Sequence, residues 1–103
     1  MLKFENVFGG EQIVLCCANC GHEYLHHYEV QVYEREEDKK TGTYVSVRGD
    51  VIYSDSNMAL NPSSRRNGIS ILLSCEQCPV INKLTIVQHK GSTLIDNEIY
   101  NAK

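Results

Sequence analysis

The chain of 103 residues has no tryptophan and only two phenylalanines, two methionines and two prolines. Its six tyrosines outnumber the other aromatics, so its aromatic surface carries hydroxyl groups that need polar partners. It has no apolar run approaching 18 residues, which excludes a transmembrane helix. It has no unbroken apolar stretch at the start: Glu5 and Asn6 interrupt the opening residues where a secretory signal needs continuity. It has no basic excess either. A formal charge of −3 and an isoelectric point near 5.7 argue against a general-purpose nucleic-acid binder, while leaving room for a local basic site. The acidity is too slight for a mimic of DNA. No segment shows the 3.6-residue apolar period of an amphipathic helix.

What is present reads as strands. At this length the expectation is one domain over residues 1–103, burying roughly two-thirds of its unfolded surface in a modest core. The stretch 11–17, "EQIVLCC", is apolar, and 24–35, "YLHHYEVQVYER", alternates. Tyr24, His26, Tyr28, Val30 and Val32 fall on one face; Leu25, His27, Glu29, Gln31 and Tyr33 fall on a more polar one. The charged run 34–42 is expected to be a solvated hairpin tip, and Gly49-Asp50 a turn between two short strands. Residues 55–68, around Pro62, form the longest irregular stretch. Strands follow over 69–75 and from 82 to Gly91, with a last one in "STLIDNEIY". The predicted class is all-β and antiparallel.

Five cysteines stand in the chain, and four of them form two Cys-x-x-Cys pairs: Cys17 with Cys20, and Cys75 with Cys78. A cytoplasmic location is expected, and in a reducing compartment this pattern points to metal before disulfides. Each pair lies between an entering and a leaving strand. Such a turn points both sulfurs to one side and offers backbone N–H groups to them, and Gly21 permits the positive φ that often follows the second cysteine. Two facing turns give a tetrahedral Cys₄ site for one structural zinc ion. The constellation looks like a zinc ribbon over 14–25 and 72–87, with a β-hairpin region inserted among the 54 residues between Cys20 and Cys75. A thioredoxin-like redox pair would need a helix start at the Cys-x-x-Cys, which neither pair has. Cys16 is expected to point away from the metal as a small core hydrophobe.

The histidines are weaker candidates. His22 could replace a thiolate, but with four cysteines to hand it reads as a polar neighbour. His26 and His27 are consecutive and face opposite ways on a strand, so both cannot bind one ion. His26 is expected to be a buried, hydrogen-bonded core residue and His27 to be solvated. A catalytic zinc needs an open position and a nearby general base, for which no spacing is present. The alternative reading is a metal-dependent nuclease or nucleotide hydrolase of HNH-like type, using His26, His27, His89 or the arginines. It lacks the helix that would carry its second ligand.

The segments "NPSSRRNGISI", "SCEQC" and "LTIVQHKG", with "CGHEYLHHYEVQVYEREED", together resemble a group of small bacterial and phage or prophage proteins with a zinc-ribbon core. The resemblance implies a structural zinc on Cys17, Cys20, Cys75 and Cys78 and a mobile-element setting, and it brings no activity. The function expected is therefore a small, non-enzymatic, zinc-stabilised module binding a protein or nucleic-acid partner. Arg65 and Arg66, adjacent in a Ser/Asn-rich loop, match phosphate or carboxylate. His89 and Lys90 are the expected supporting contacts. The competing reading pairs these arginines with the acids of 34–38 on the same protein.

Overall fold

The computed structural model describes residues 2–7 and 10–102, and the side chains of residues 13–101. Its eight elements are all strands: β1 (Leu2–Val7), β2 (Gly10–Leu15), β3 (Leu25–Glu34), β4 (Thr41–Arg48), β5 (Val51–Asn57), β6 (Gly68–Cys75), β7 (Val80–His89) and β8 (Ser92–Ala102). The chain is all-β, as the alternating and apolar runs require. No helix of the described residues is long and apolar enough to cross a membrane. β1, which the sequence reading did not anticipate, pairs with β2 in a two-stranded sheet. The other six strands form one antiparallel sheet in the order β5-β4-β3-β6-β7-β8.

That order positions the site. β6 returns to pair with β3, so the β4–β5 hairpin is pushed to the outer edge of the sheet as an insertion. Leu25 at the start of β3 lies opposite Cys75 at the end of β6, and Ser74 lies opposite Ile81 near the start of β7. The two Cys-x-x-Cys turns therefore emerge from one end of three adjacent strands. The opposite end carries the loop 58–67 and the β7–β8 turn. In that turn Lys90 and Gly91 both have positive φ, at 49° and 83°, the two-residue geometry that matches strand twist.

Residues paired across strands share a face, so the register sorts the side chains. One face carries tyrosines and charges. Tyr33, Tyr44 and Tyr53 form a ladder across β3, β4 and β5, with ring centroids 4.8 and 6.1 Å apart. Arg48 lies over Tyr28 and beside Glu29, and Lys83 lies over Tyr100. On the same face Ser70, between Gln31 and Thr85, and Leu72, between Glu29 and Lys83, are buried, and Tyr33 is only 2% exposed. The hydroxyl of Tyr53 donates to Asp55, which raises the tyrosine's pKa by stabilising its protonated form.

The other face is aliphatic on every strand of the sheet. It presents Val30 and Val32 on β3, Val45 and Val47 on β4, and Ile52 on β5. Ile69 and Ile71 follow on β6, Leu84 and Ile86 on β7, and Ile95 and Ile99 on β8. Ile52, Ile95 and Ile99 are 73, 60 and 49% exposed. The buried hydrophobic residues among those described are Tyr33, Met58, Leu72 and three cysteines, Cys16, Cys17 and Cys75. Packing alone supplies a thin core, and half of it sits at the cysteine end.

Three expectations need correction. A register shift between His27 and Glu29 breaks the alternation of β3, so counting from Val30 misplaces Tyr28, which lies under Arg48 on the other face, and the residues before it. His26 is exposed, with 65% of its side chain accessible, and its Nε2 lies 2.9 Å from the Glu76 carboxylate. The face of β3 read as polar holds the most buried large side chain, Tyr33, because the tyrosine ladder and not aliphatic packing covers it. Finally, β5 continues to Asn57, so the irregular stretch runs from 58 to 67 and does not begin at Asp55. His27 is exposed, and Gly49 forms the β4–β5 turn with φ 61°, as read from the sequence.

Candidate metal centre

The first cysteine turn is closed by its own backbone. The Cys17 N–H donates to the His22 carbonyl at 2.8 Å, and the Gly21 N–H donates to the Cys17 carbonyl at 3.0 Å. Gly21 takes φ 77°, a conformation costly for any residue with a Cβ. The second turn is tied to the first strand it faces, with the Glu76 N–H donating to the Tyr24 carbonyl at 3.1 Å. In each turn the residue two past the first cysteine points its N–H at that sulfur: Asn19 to Cys17 and Gln77 to Cys75, both at 3.4 Å.

The four sulfurs of Cys17, Cys20, Cys75 and Cys78 lie within 4.8 Å of one another. The Cys17–Cys78 and Cys20–Cys75 sulfur separations are 3.7 and 3.6 Å. A tetrahedral ion with metal–sulfur bonds of ~2.3 Å places its sulfurs ~3.8 Å apart, so the cluster has the spacing of a coordination shell. A disulfide would require about 2.05 Å, and all five cysteines are free thiols. The four residues can hold one metal ion. Among the described residues this is the one cluster of three or more metal-ligating side chains. Cys16 is buried outside it, and His22 instead accepts a hydrogen bond at Nδ1 from the Tyr24 N–H at 3.2 Å.

Four thiols this close together ionise against one another. At Cys20 the His22 backbone N–H favours the thiolate, but desolvation and the other three cysteines prevail and push the thiol up to about 12. At Cys17 burial opposes ionisation. The Asn82 amide and the N–H groups of Cys20 and Asn19 outweigh it and bring the thiol down to about 6. The opposed shifts express one fact: the cluster cannot ionise fully unless a cation cancels the repulsion.

Two asparagines that the sequence reading did not single out fasten the first turn to the sheet. Asn82 on β7 is fully buried. Its Oδ1 accepts from the Ala18 N–H at 2.7 Å, and its Nδ2 donates to the Cys17 sulfur at 3.3 Å. Asn97 on β8 donates to the Cys16 carbonyl at 3.1 Å and to Asn82 Oδ1 at 3.2 Å. The one signal in the sequence was an amide at position 82, where the aliphatic alternation of β7 calls for an apolar side chain.

The other residues singled out lie at the far end of the sheet. Arg65 is engaged within the protein: its Nε and Nη2 fork onto the Asp38 carboxylate, both at 2.8 Å, with Glu37 3.5 Å away. The guanidinium holds the Asp38 carboxyl below the usual range. This is the self-pairing reading for Arg65. Arg66 is exposed, with no ion pair recorded among the described residues. It lines a cavity of about 360 Å³ together with Asn67, Gln88 and Gly91, next to the exposed Lys90 and His89. Arg35, unremarked in the sequence, organises the loop by donating to the carbonyls of Ser63, Arg66 and Lys39 at 2.9, 3.2 and 3.2 Å. Asn61 makes the expected turn, accepting from the Ser63 N–H at 2.9 Å.

No protein-family model matches the chain, no curated protein matches its sequence, and no solved structure matches its fold.

Two outcomes follow from this geometry. Cys75→Ser removes a buried ligand from a site whose metal can supply roughly 10–16 kcal/mol of apparent folding free energy in small zinc domains. Cooperative thermal unfolding should be lost or shifted far down in that variant, while Cys16→Ala should keep one ion per chain; calorimetry with metal analysis checks both. Asn82→Ala leaves the Ala18 N–H and the Cys17 sulfur without their partner. It should weaken metal affinity by about 10–100-fold, the usual effect of losing a residue that orients a ligand, as measured by competition with a chromophoric chelator.

Proposed function

We infer that this chain is a small, non-enzymatic module whose β-fold is held by one structural zinc ion and whose opposite end binds a protein or nucleic-acid partner. The observation that carries this reading is the closed set of four sulfurs at coordination spacing. Four protein ligands fill a tetrahedral shell, and a catalytic zinc keeps one position for water or substrate. Thiolate-only tetrahedral donors are the chemistry of zinc in preference to hard divalent ions. The chemistry of an HNH-like hydrolase finds less support. His26 lies at the cysteine end of β3 and His89 at the far end of β7, so the histidines do not converge on a second site. The reducing compartment expected from the opening residues and the mobile-element setting implied by the sequence resemblance belong to the same proposal.

The contact end is assigned to the loop 58–67 and the β7–β8 turn. Binding residues concentrate on loops carried by a rigid scaffold, and this loop is held on three sides. Arg35 takes its carbonyls, the Asp38 N–H donates to the Arg65 carbonyl at 2.9 Å, and Ser63 Oγ donates to the Gln88 carbonyl at 2.9 Å. Arg65 serves as a strut through Asp38, which leaves Arg66, Lys90 and His89 as the groups facing a partner. With so few charges a nucleic-acid contact would show a salt slope of about two units or less. A protein contact would use Arg66 as an anchor.

The test is affinity capture from the native host with metal analysis of the same sample, followed by Arg66→Ala/Lys90→Ala. The expected outcome is one zinc per chain and at least tenfold weaker partner binding, about 1.4 kcal/mol, with fold and metal intact. Unchanged binding would remove the contact assignment. Divalent-ion-dependent cleavage of DNA that is lost in His89→Ala would replace the module by the enzyme.

A further inference from the structure

The aliphatic face of the six-stranded sheet is the largest feature not used by the metal site or by the loop end. It carries β-branched or Leu side chains on every strand, and of the Asp, Glu, Lys and Arg residues that pair across the sheet only Glu34, at the loop end of β3, falls on it. The register brings polar groups to its two ends, Asn82 and Asn97 where the first cysteine turn is seated and Glu34, Thr43, Gln88 and Thr93 toward the loop end, and Ser54 to the outer strand β5. The chain exposes 6872 Å², whereas a folded monomer of its mass exposes roughly 5,900 Å². The excess is about 1,000 Å², the scale of one side of a protein interface.

We propose that this face is closed by the same face of a second copy of the chain, giving a two-sheet sandwich dimer. With Glu34 at one end as its one acidic or basic side chain, the face gives a foreign partner little to recognise by charge, and its aliphatic centre meets its own copy without repulsion. Homodimer interfaces of this kind resemble a domain core cut in half. The area is sufficient. Six strands ~4.8 Å apart and about six residues free of the cysteine turn, at ~3.3 Å each, present ~600 Å² per protomer. Two such faces bury ~1,200 Å², within the range of stable specific interfaces. Sheets stacked ~10 Å apart interdigitate β-branched side chains of this type, and a twofold axis makes the contact self-complementary. Ile71 and Ile86, central on this face, become core residues in the dimer.

Sedimentation equilibrium on the metal-loaded protein tests this. The parent should have twice the chain mass of 11.7 kDa. Val47→Lys/Ile95→Lys places two charges on the aliphatic face at positions already 41 and 60% exposed, which the monomer fold tolerates. Its dimer dissociation constant should rise at least 100-fold. Val51→Lys/Leu94→Lys places the same charges on the opposite face, on the edge strands β5 and β8, and should dimerise like the parent. In the parent, the methyl groups of Ile71 and Ile86 should be shielded from a soluble paramagnetic agent, a measurement that needs no variant. A parent that stays monomeric at millimolar concentration overturns the proposal. So does equal dissociation of both double variants, which would place the contact at the edges, or shielded Ile71 and Ile86 methyls in a monomer, which would give the cover to another segment of this chain.

Discussion

Four sulfur atoms gathered at one end of a sheet bring together two turns that are far apart in sequence. The turn before β3 and the turn between β6 and β7 meet where Leu25 pairs with Cys75. Three of the six buried hydrophobic residues are cysteines, two of them in the cluster itself. Small domains short of apolar core commonly rely on metal or disulfides for the missing stability. Here the four-cysteine cluster, which can hold one ion, stands where such a staple would act, and the amides of Asn82 and Asn97 tie the first cysteine turn to β7 and β8. The thiol shifts have the same origin, since the geometry that suits a cation is strained electrostatically without one.

The sheet separates its tasks by end and by face. The cysteine end is stapled. The opposite end presents a loop fixed by Arg35, Asn61 and Ser63, with Arg65 held by Asp38 and Arg66 left exposed. Tyrosines and long charged side chains line one face, joined by ring and cation–π contacts, and Ser70 and Leu72 are buried on it. The other face is aliphatic at its centre and is the one for which a covering surface is proposed. Every strand from β3 to β8 contributes to both faces, so substitutions a single residue apart along a strand should report on different surfaces.

The cysteine cluster was legible in the sequence because coordination restricts both residue type and spacing: two short turns each aim a pair of sulfurs, and strands on either side make the turns face. The all-β class was legible from alternation. What was not legible depended on pairing. Asn82 matters only because β7 lies beneath the first turn, a relation that no local spacing encodes. The register shift after His27 cannot be seen in a pattern that looks uniformly alternating, and it carried His26 from an expected core position to an exposed one beside Glu76. Tyr33 was assigned to a polar face because its neighbours Glu29 and Gln31 are polar. Its burial comes from Tyr44 across the strand. Arg65 and Arg66 look alike in sequence, and only the position of the Asp38 turn distinguishes the strut from the exposed group.

The account rests on the cluster being a closed four-sulfur metal site, and X-ray absorption at the metal edge of the purified, reduced protein tests that directly. It should show one zinc per chain with four sulfur neighbours at ~2.3 Å and no imidazole or oxygen in the first shell. Fewer than four sulfurs, a nitrogen neighbour from His22 or His26, or protein that folds cooperatively with its four thiols free and no ion bound would contradict it.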